Sequence, residues 1–331
     1  MLSRRRSGRP RQSVQALDAT GDLCGTEVRF ASPPWEKTQP TLGENNVPTA
    51  SFHVEPLPAS FGATVTGLTL ASLDDATFSD LYSVWLKHGL LILPDQHLTN
   101  DQQRVFAGRL GALEIPITPI SNVRSDGTIR PEEGDDVVKV LKGNMGWHCD
   151  STYMPVQAKG AVFTAHVVPP EGGETEWADM AAAWAALPRS RQAQLDSLSA
   201  YHSLRYSQGK LGHTHDANSA YSGYGMTEDE PPLRPLRKRH PETGADCLMI
   251  GRHAFGIPGL EAEASEQLLD TLCAEACQAP RVWRHRWTPG DAVIWDNRRL
   301  MHRGCPWDMT LPRVMYHSRI AGDPASEGVA H

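Results

Sequence analysis

A regular pattern of apolar and polar positions begins only after about residue 50. Phe52, Val54 and Leu57 give the first apolar alternation, and FGATVTGLTL (61–70) continues it as a strand with glycine turns. The period then changes. In DDATFSDLYSVWLKHG (74–89), Phe78, Leu81, Val84 and Trp85 fall on one helical stripe, with Asp75 as N-cap and Gly89 as the stop. LLILP (90–94) reads as a buried strand ended by its proline. Thr99 and Gln102 form a capping box that opens a second amphipathic helix, ending near Gly111.

Residues 121–136 are a polar loop, and DVVKVLKG (136–143) reads as a strand leading into GWHCDSTY. AVFTAHVV (161–168) is another strand, closed by PPEGG. Residues 180–198 form one or two helices interrupted at Pro188. Arg205 to Arg239 is irregular and rich in Gly, Ser, Tyr, His and Pro, which marks a lid or binding loop. CLMIG (247–251) is a strand and ASEQLLDTLCAEACQ (264–278) a helix. VWRHRWTPGDAVIWDNRRLMHRG (282–304) reads as a strand, a Pro-Gly turn and a second strand, and RVMYHSRIAGD (313–323) is the last strand. Short strands split by turns, with helices before and between them, predict a mainly β sandwich or jelly-roll barrel with flanking helices.

Residues 1–50 carry no such period. They open with MLSRRRSGRPRQ and read as a mobile extension; the Gly-Arg-Pro step breaks the amphipathic helix of a transit peptide. The folded domain is expected over 51–325, with a tail over 326–331. The chain has 331 residues and a net charge of -7, a balance that does not suit a nucleic-acid-coating surface. No apolar run is long enough for a membrane span, so no membrane partner is expected. Six cysteines without CxxC spacing, and no secretory signal pattern, predict free thiols and a cytoplasmic, reducing compartment. Cys273 and Cys277 stand at helical spacing and read as two thiols on one helix face.

The chemistry concentrates in GWHCDSTYMPVQAKGAVFTAHVVPPEGGETEW (146–177). On a strand, His148 and Asp150 point to one face and Cys149 to the other. A second histidine, His302 in WDNRRLMHRG at the end of the apolar strand VIWDN, completes a candidate facial triad whose remaining positions stay open. Structural zinc sites are instead closed by four protein ligands. Trp147 is placed to wall the site, and Arg313 to clamp a carboxylate at two points. A zinc hydrolase, a metal-binding sensor and an oxygenase of nucleic acid or protein are the competing readings. The hydrolase leaves Arg313 without a role, and the acidic balance argues against the last.

From about Phe52 to Asp323 the chain resembles the Fe(II)/2-oxoglutarate-dependent dioxygenases of the taurine dioxygenase and 2,4-dichlorophenoxyacetate dioxygenase type (the TauD/TfdA family). FGATVTGLTL, HGLLILPDQHLT, WHCDSTY, VPPEGGETEWADMAAAWAALP, HPETG, RHRWTPGDAVIWDNRRLMHRG and RVMYHSRIAGD carry the resemblance, and ISNVRSDG, HPETG before CLMIGRHA, and RHRW bring it nearer the 2,4-dichlorophenoxyacetate branch. It implies a double-stranded β-helix with His148, Asp150 and His302 on Fe(II), and 2-oxoglutarate and O2 as co-substrates. Arg313, eleven residues after the last ligand, and Thr175 would bind the distal carboxylate of 2-oxoglutarate. It also implies a homo-oligomer, dimer or tetramer, acting on a small anionic molecule. Aryloxyalkanoate ether cleavage is the favoured reaction, ahead of hydroxylation of N-acyl amino acids or sulfonates.

Relatives place a further arginine four or five residues beyond the co-substrate arginine, for the substrate's anion. Here those positions hold His317 and Ser318, followed by Arg319. If 313–319 is a strand, Arg313, Met315, His317 and Arg319 share a face, so either His317 or Arg319 takes the anion or the substrate lacks that group. Asn144, Tyr153, Arg205, Tyr206 and Arg252 are further pocket candidates, whereas His202, His240, His253 and His285 read as hydrogen-bonded structural histidines.

Overall fold

The computed structural model describes residues 52–213, 224–226 and 229–329. The expected N-terminal extension, and part of the expected lid, lie outside them.

The chain opens with β1 (His53–Pro56) and β2 (Ala63–Thr66), an antiparallel pair. Helix α1 (Asp75–His88) follows, its N-cap one residue earlier than expected: the Asp74 carboxylate accepts from the Thr77 amide. Gly89 ends it in the left-handed region at φ 75°, where glycine carries no Cβ penalty. β3 (Leu90–Leu93) is next, then α2 (Asn100–Leu110), opened by the expected Thr99–Gln102 box. β4 (Thr118–Ser121) is followed by α3 (Asp136–Gly143), where a strand was expected. The valines suggest a strand, but Asp135 caps the Val137 and Val138 amides and Val138 and Leu141 bury one face. Capping and helical period outweigh β propensity there.

β5 (Gly160–Val167) and β6 (Thr175–Asp179) follow, then α4 (Met180–Ala186) and α5 (Arg189–Leu195), broken at Pro188 as expected. Next come β7 (Ser199–His202), α6 (Leu204–Gly209), β8 (Leu233–Pro235) and β9 (Arg237–Arg239). The last three fall inside the stretch read as irregular. β10 (Asp246–Leu248), β11 (Ala254–Phe255) and α7 (Ala262–Ala276) precede β12 (Val282–His285), β13 (Ala292–Asp296), β14 (Leu300–Gly304), β15 (Val314–Ile320) and α8 (Pro324–Glu327). His302 therefore sits on β14, a strand of its own beyond VIWDN, because the chain turns at Asn297–Arg299.

Two sheets face each other. One has seven strands in the order β1-β2-β3-β13-β5-β15-β4, the other three in the order β12-β6-β14. Between them pack Leu90, Ile92, Phe163, Val293, Trp295 and Met315 from the first and Trp177 and Leu300 from the second. The alternate residues Leu91, Leu93, Val162 and Ile294 face outward, under Leu81 and Trp85 of α1 and Phe106 and Leu110 of α2. A strand covered on both sides has no polar face, which is why LLIL is continuously apolar. Each such side chain contributes about 1.5–3 kcal/mol of burial. The arrangement is a double-stranded β-helix with helices on its outside.

Candidate metal centre and co-substrate cavity

His148 and His302 meet as an isolated antiparallel bridge joining the HCD segment to β14. Each amide donates to the other's carbonyl, at 3.0 and 2.8 Å, and the two imidazole centroids lie 4.2 Å apart. The HCD segment is thus a single bridge rather than the expected strand. Asp150 is fixed separately. The Asn297 side chain accepts from the Asp150 amide at 2.7 Å, and donates to the carbonyls of Asp150 and Ala158, each at 2.9 Å. Among the described residues, one ligand atom from each of His148, Asp150 and His302 lies within 4.8 Å of the others.

The donor set suits a divalent metal. The His148 Nδ1 bonds the Gly146 carbonyl at 2.8 Å, leaving Nε2 free. Burial pushes the His148 imidazole down to about 3 and His302 to about 4, so both rings are neutral lone-pair donors at neutral pH. Burial pushes the Asp150 carboxyl up, but the Arg319 guanidinium beside it is the foremost opposing influence and the group is held ionised. Its Oδ2 is buried without a hydrogen-bond partner.

A cavity of about 540 Å³ opens beside these residues. Thr175 and Arg313 line one part of it. The Arg313 Nε donates to the Gly173 carbonyl at 3.1 Å, and its guanidinium carbon lies 5.2 Å from the Trp307 ring centroid. Gly173, at φ 70°, brings its backbone against Arg313, where a Cβ would sit 3.1 Å from Nε. Arg313 is 4% exposed and forms no ion pair among the described residues. Burial lowers its guanidinium to about 10, still charged at neutral pH.

The sequence profile described as "Taurine catabolism dioxygenase TauD, TfdA family" matches residues 53–319. The chain belongs to that family. A (S)-phenoxypropionate/alpha-ketoglutarate-dioxygenase of Sphingobium herbicidovorans is 60% identical over 284 residues, covering 85% of this chain and 99% of the relative. One of the same description from Delftia acidovorans is 57% identical over 287 residues, covering 85% and 98%. The crystal structure of AAD-2 in complex with Mn(II) and N-oxalylglycine superposes with a TM-score of 0.77 at 33% identity, covering 85% of this chain and 99% of that one.

Within this TauD/TfdA scaffold, Asn144, Tyr153, His317 and Arg319 also line the cavity. Arg319 is already engaged: its guanidinium donates to Asp150 Oδ1 at 3.2 Å and to Ser151 Oγ at 3.1 Å. Glu114 accepts from Ser151 and from the Tyr224 hydroxyl. His317 stacks on Trp295, with centroids 5.4 Å apart and planes at 5°. Arg205 is exposed, and Tyr206 packs on Phe255 and donates to Glu266; neither lines the cavity. His240, His253 and His285 bond Asp296, Ser207 and Asp291 as expected. His202 differs: it is fully buried, and neither ring nitrogen has a hydrogen-bond partner. Asn297, Glu114 and Gln208 also belong to the site or its supports, and no motif marks the last two. The WDNRR motif held a signal for the first, a lone amide at the end of an apolar strand.

Proposed function

We propose that this chain is an Fe(II)- and 2-oxoglutarate-dependent dioxygenase acting on 2-aryloxyalkanoates, with the S enantiomer of 2-phenoxypropionate as the representative substrate. His148, Asp150 and His302 hold the iron. Arg313 and Thr175 take the distal carboxylate of 2-oxoglutarate. The observation that carries this reading is a buried, charged Arg313 with no acidic partner, in the same cavity as the triad. A buried cation is costly unless an anion meets it, and a metal-only hydrolase offers none. The described names of the relatives support the substrate class.

When bound, the iron supplies the oxidising chemistry that converts substrate, O2 and 2-oxoglutarate to hydroxylated substrate, succinate and CO2. The protein's part is placement. The bridge and Asn297 set the ligands before any metal arrives. Arg313 fixes one end of 2-oxoglutarate and so directs its other end to the metal. Val137, Val140, Leu141 and Ile115 give the aryl ring an apolar wall. Hydroxylation at the carbon bearing the ether oxygen yields a hemiketal, which collapses to a phenol and a 2-oxo acid. The oxygenase domain is taken as 51–325, with 1–50 an extension ahead of it.

The test is incubation with Fe(II), 2-oxoglutarate and each enantiomer of 2-phenoxypropionate in air. Phenol and succinate are expected in equal amounts from the S enantiomer. Succinate that stays at the substrate-free level with both enantiomers contradicts the proposal.

A further inference from the structure

Among the described residues, Arg130, Arg313 and Arg319 line the cavity, against the single carboxylate of Asp150. Arg319 is met by Asp150, and Arg313 is assigned to 2-oxoglutarate above. Arg130 is left over. Its amide is fixed on the Asn122 carbonyl at 2.8 Å. Its Nη1 lies 3.2 Å from Asp135 Oδ2, while its Nε is buried without a hydrogen-bond partner.

Helix α3 sets where Arg130 stands along the cavity. Val137, Val140, Leu141 and Asn144 fall at i, i+3, i+4 and i+7, and all four line the cavity, so the helix lies along it. The Asn144 carbonyl accepts from the Gly304 amide at 2.9 Å, two residues beyond His302, which puts the C-terminal end of α3 at the metal site. Asp135, the residue that meets Arg130, caps the opposite end. That end is about 13 Å away along the axis at the helical rise per residue.

A simpler role for Arg130 would be to hold the Asp135 cap. That carboxylate is already met by Arg124, whose Nη2 donates to Oδ2 at 3.0 Å and which does not line the cavity. Asp135 Oδ1 is occupied by the Val137 and Val138 amides. Two guanidinium groups therefore share one carboxylate, and the surplus positive charge stands at the cavity wall. A half-buried cation with an unmet donor is completed by an acceptor that the protein itself does not supply.

We propose that Arg130 is a specificity-determining residue that selects aryloxyalkanoates whose ring carries an anionic hydrogen-bond acceptor, such as a carboxylate, at the para position. The carbon to be hydroxylated sits at the metal and the ring runs along Val140 and Leu141. The para substituent is then the part of the substrate farthest from the metal, at the Arg130 end. The assignment rests on the proposed function, and the experiment separates the two. Fe(II)-loaded wild type, Arg130→Met, Arg130→Lys and Arg124→Met are compared with 2-phenoxypropionate and with its para-carboxy and para-isopropyl derivatives, whose substituents are similar in size. In the wild type, kcat/KM for the para-carboxy compound exceeds that for the para-isopropyl compound by about 10-fold or more, as a charge-assisted hydrogen bond gives. Arg130→Met loses this preference, Arg130→Lys keeps part of it, and Arg124→Met keeps it. An arginine that only supported α3 would lower all three substrates alike and leave the ratio unmoved. A preference undiminished in Arg130→Met overturns the assignment. So does a wild type that turns over 2-phenoxypropionate without preferring the para-carboxy compound, a result that needs no variant to fold. A wild type that oxidises none of the three overturns the underlying function and this assignment with it.

Discussion

Arg319 Nη2 lies 3.2 Å from Asp150 Oδ1, while Asp150 Oδ2 has no hydrogen-bond partner. The two oxygens thus differ: one is held by a fixed cation, while the other, 3.4 Å from His317 Nε2, is the one the proposed metal would take. Removing the guanidinium frees the carboxylate to rotate and leaves its charge less shielded. Arg319→Met is expected to weaken Fe(II) binding about 10- to 100-fold, as loss of an outer-shell partner does. Isothermal titration with Fe(II) or Mn(II) checks it; unchanged affinity would mean that Arg319 serves something other than Asp150.

The triad itself gives a sharper loss. His148→Ala and Asp150→Ala are expected to abolish substrate-dependent succinate formation while circular dichroism stays native. Neither side chain belongs to the apolar core between the sheets. Wild-type turnover in either variant would remove the metal assignment.

Arg313→Ala is expected to raise the 2-oxoglutarate KM by roughly 30-fold or more, from a loss of about 2–5 kcal/mol when one partner of a buried charge pair is truncated. Thr175 accepts from the Trp287 indole at 3.0 Å, so Thr175→Val is expected to act in the same direction and less strongly. Steady-state kinetics in 2-oxoglutarate, at saturating substrate, separate these from effects on kcat. A KM unmoved by Arg313→Ala places the anchor elsewhere.

Acid should destabilise the metal-free protein before its carboxylates titrate. His148 and His202 are held down to about 3, His302 and His317 to about 4, and His253 well below its ordinary value, all by burial. The unfolded chain takes up those protons near pH 6.5 and the folded one does not. Stability is therefore full above about 6.5 and falls as pH drops toward 4, by up to about 1.4 kcal/mol per pH unit for each histidine. The Tm is expected to decline between pH 7 and pH 5, and more shallowly in His202→Phe. A flat Tm over that window contradicts the burial of neutral rings.

Asn297 gives a prediction on stability. Asn297→Ala strands the Asp150 amide and two carbonyls in the interior, at a cost of about 2–4 kcal/mol. It should lower both the Tm and the metal affinity, since it releases the Asp150 backbone. Thermal melts with and without Mn(II) test both effects.

Much of this was legible in the chain. The capping box at Thr99, the Gly89 stop and the buried LLIL strand follow from local chemistry, and each stands where the pattern put it. The HxD spacing and His302 were readable because ligand chemistry restricts residue type. The α3 helix was misread because its valines favour a strand and its cap, Asp135, sits inside a run of acidic residues. Arg319 lines the cavity as expected, but its contact with Asp150 was hidden for a different reason. Its face was correctly inferred, but its partner Asp150 is 169 residues away, and no local pattern reports a contact made by folding.

The most direct test of the whole account is an anaerobic titration of the Fe(II)-loaded protein with 2-oxoglutarate, followed by visible absorption. The account predicts a metal-to-ligand charge-transfer band that saturates with 2-oxoglutarate in the wild type. It should need far more 2-oxoglutarate in Arg313→Ala and be absent in His302→Ala. A wild type that binds Fe(II) yet shows no such band would contradict the assignment of His148, Asp150, His302 and Arg313 to one metal and co-substrate site.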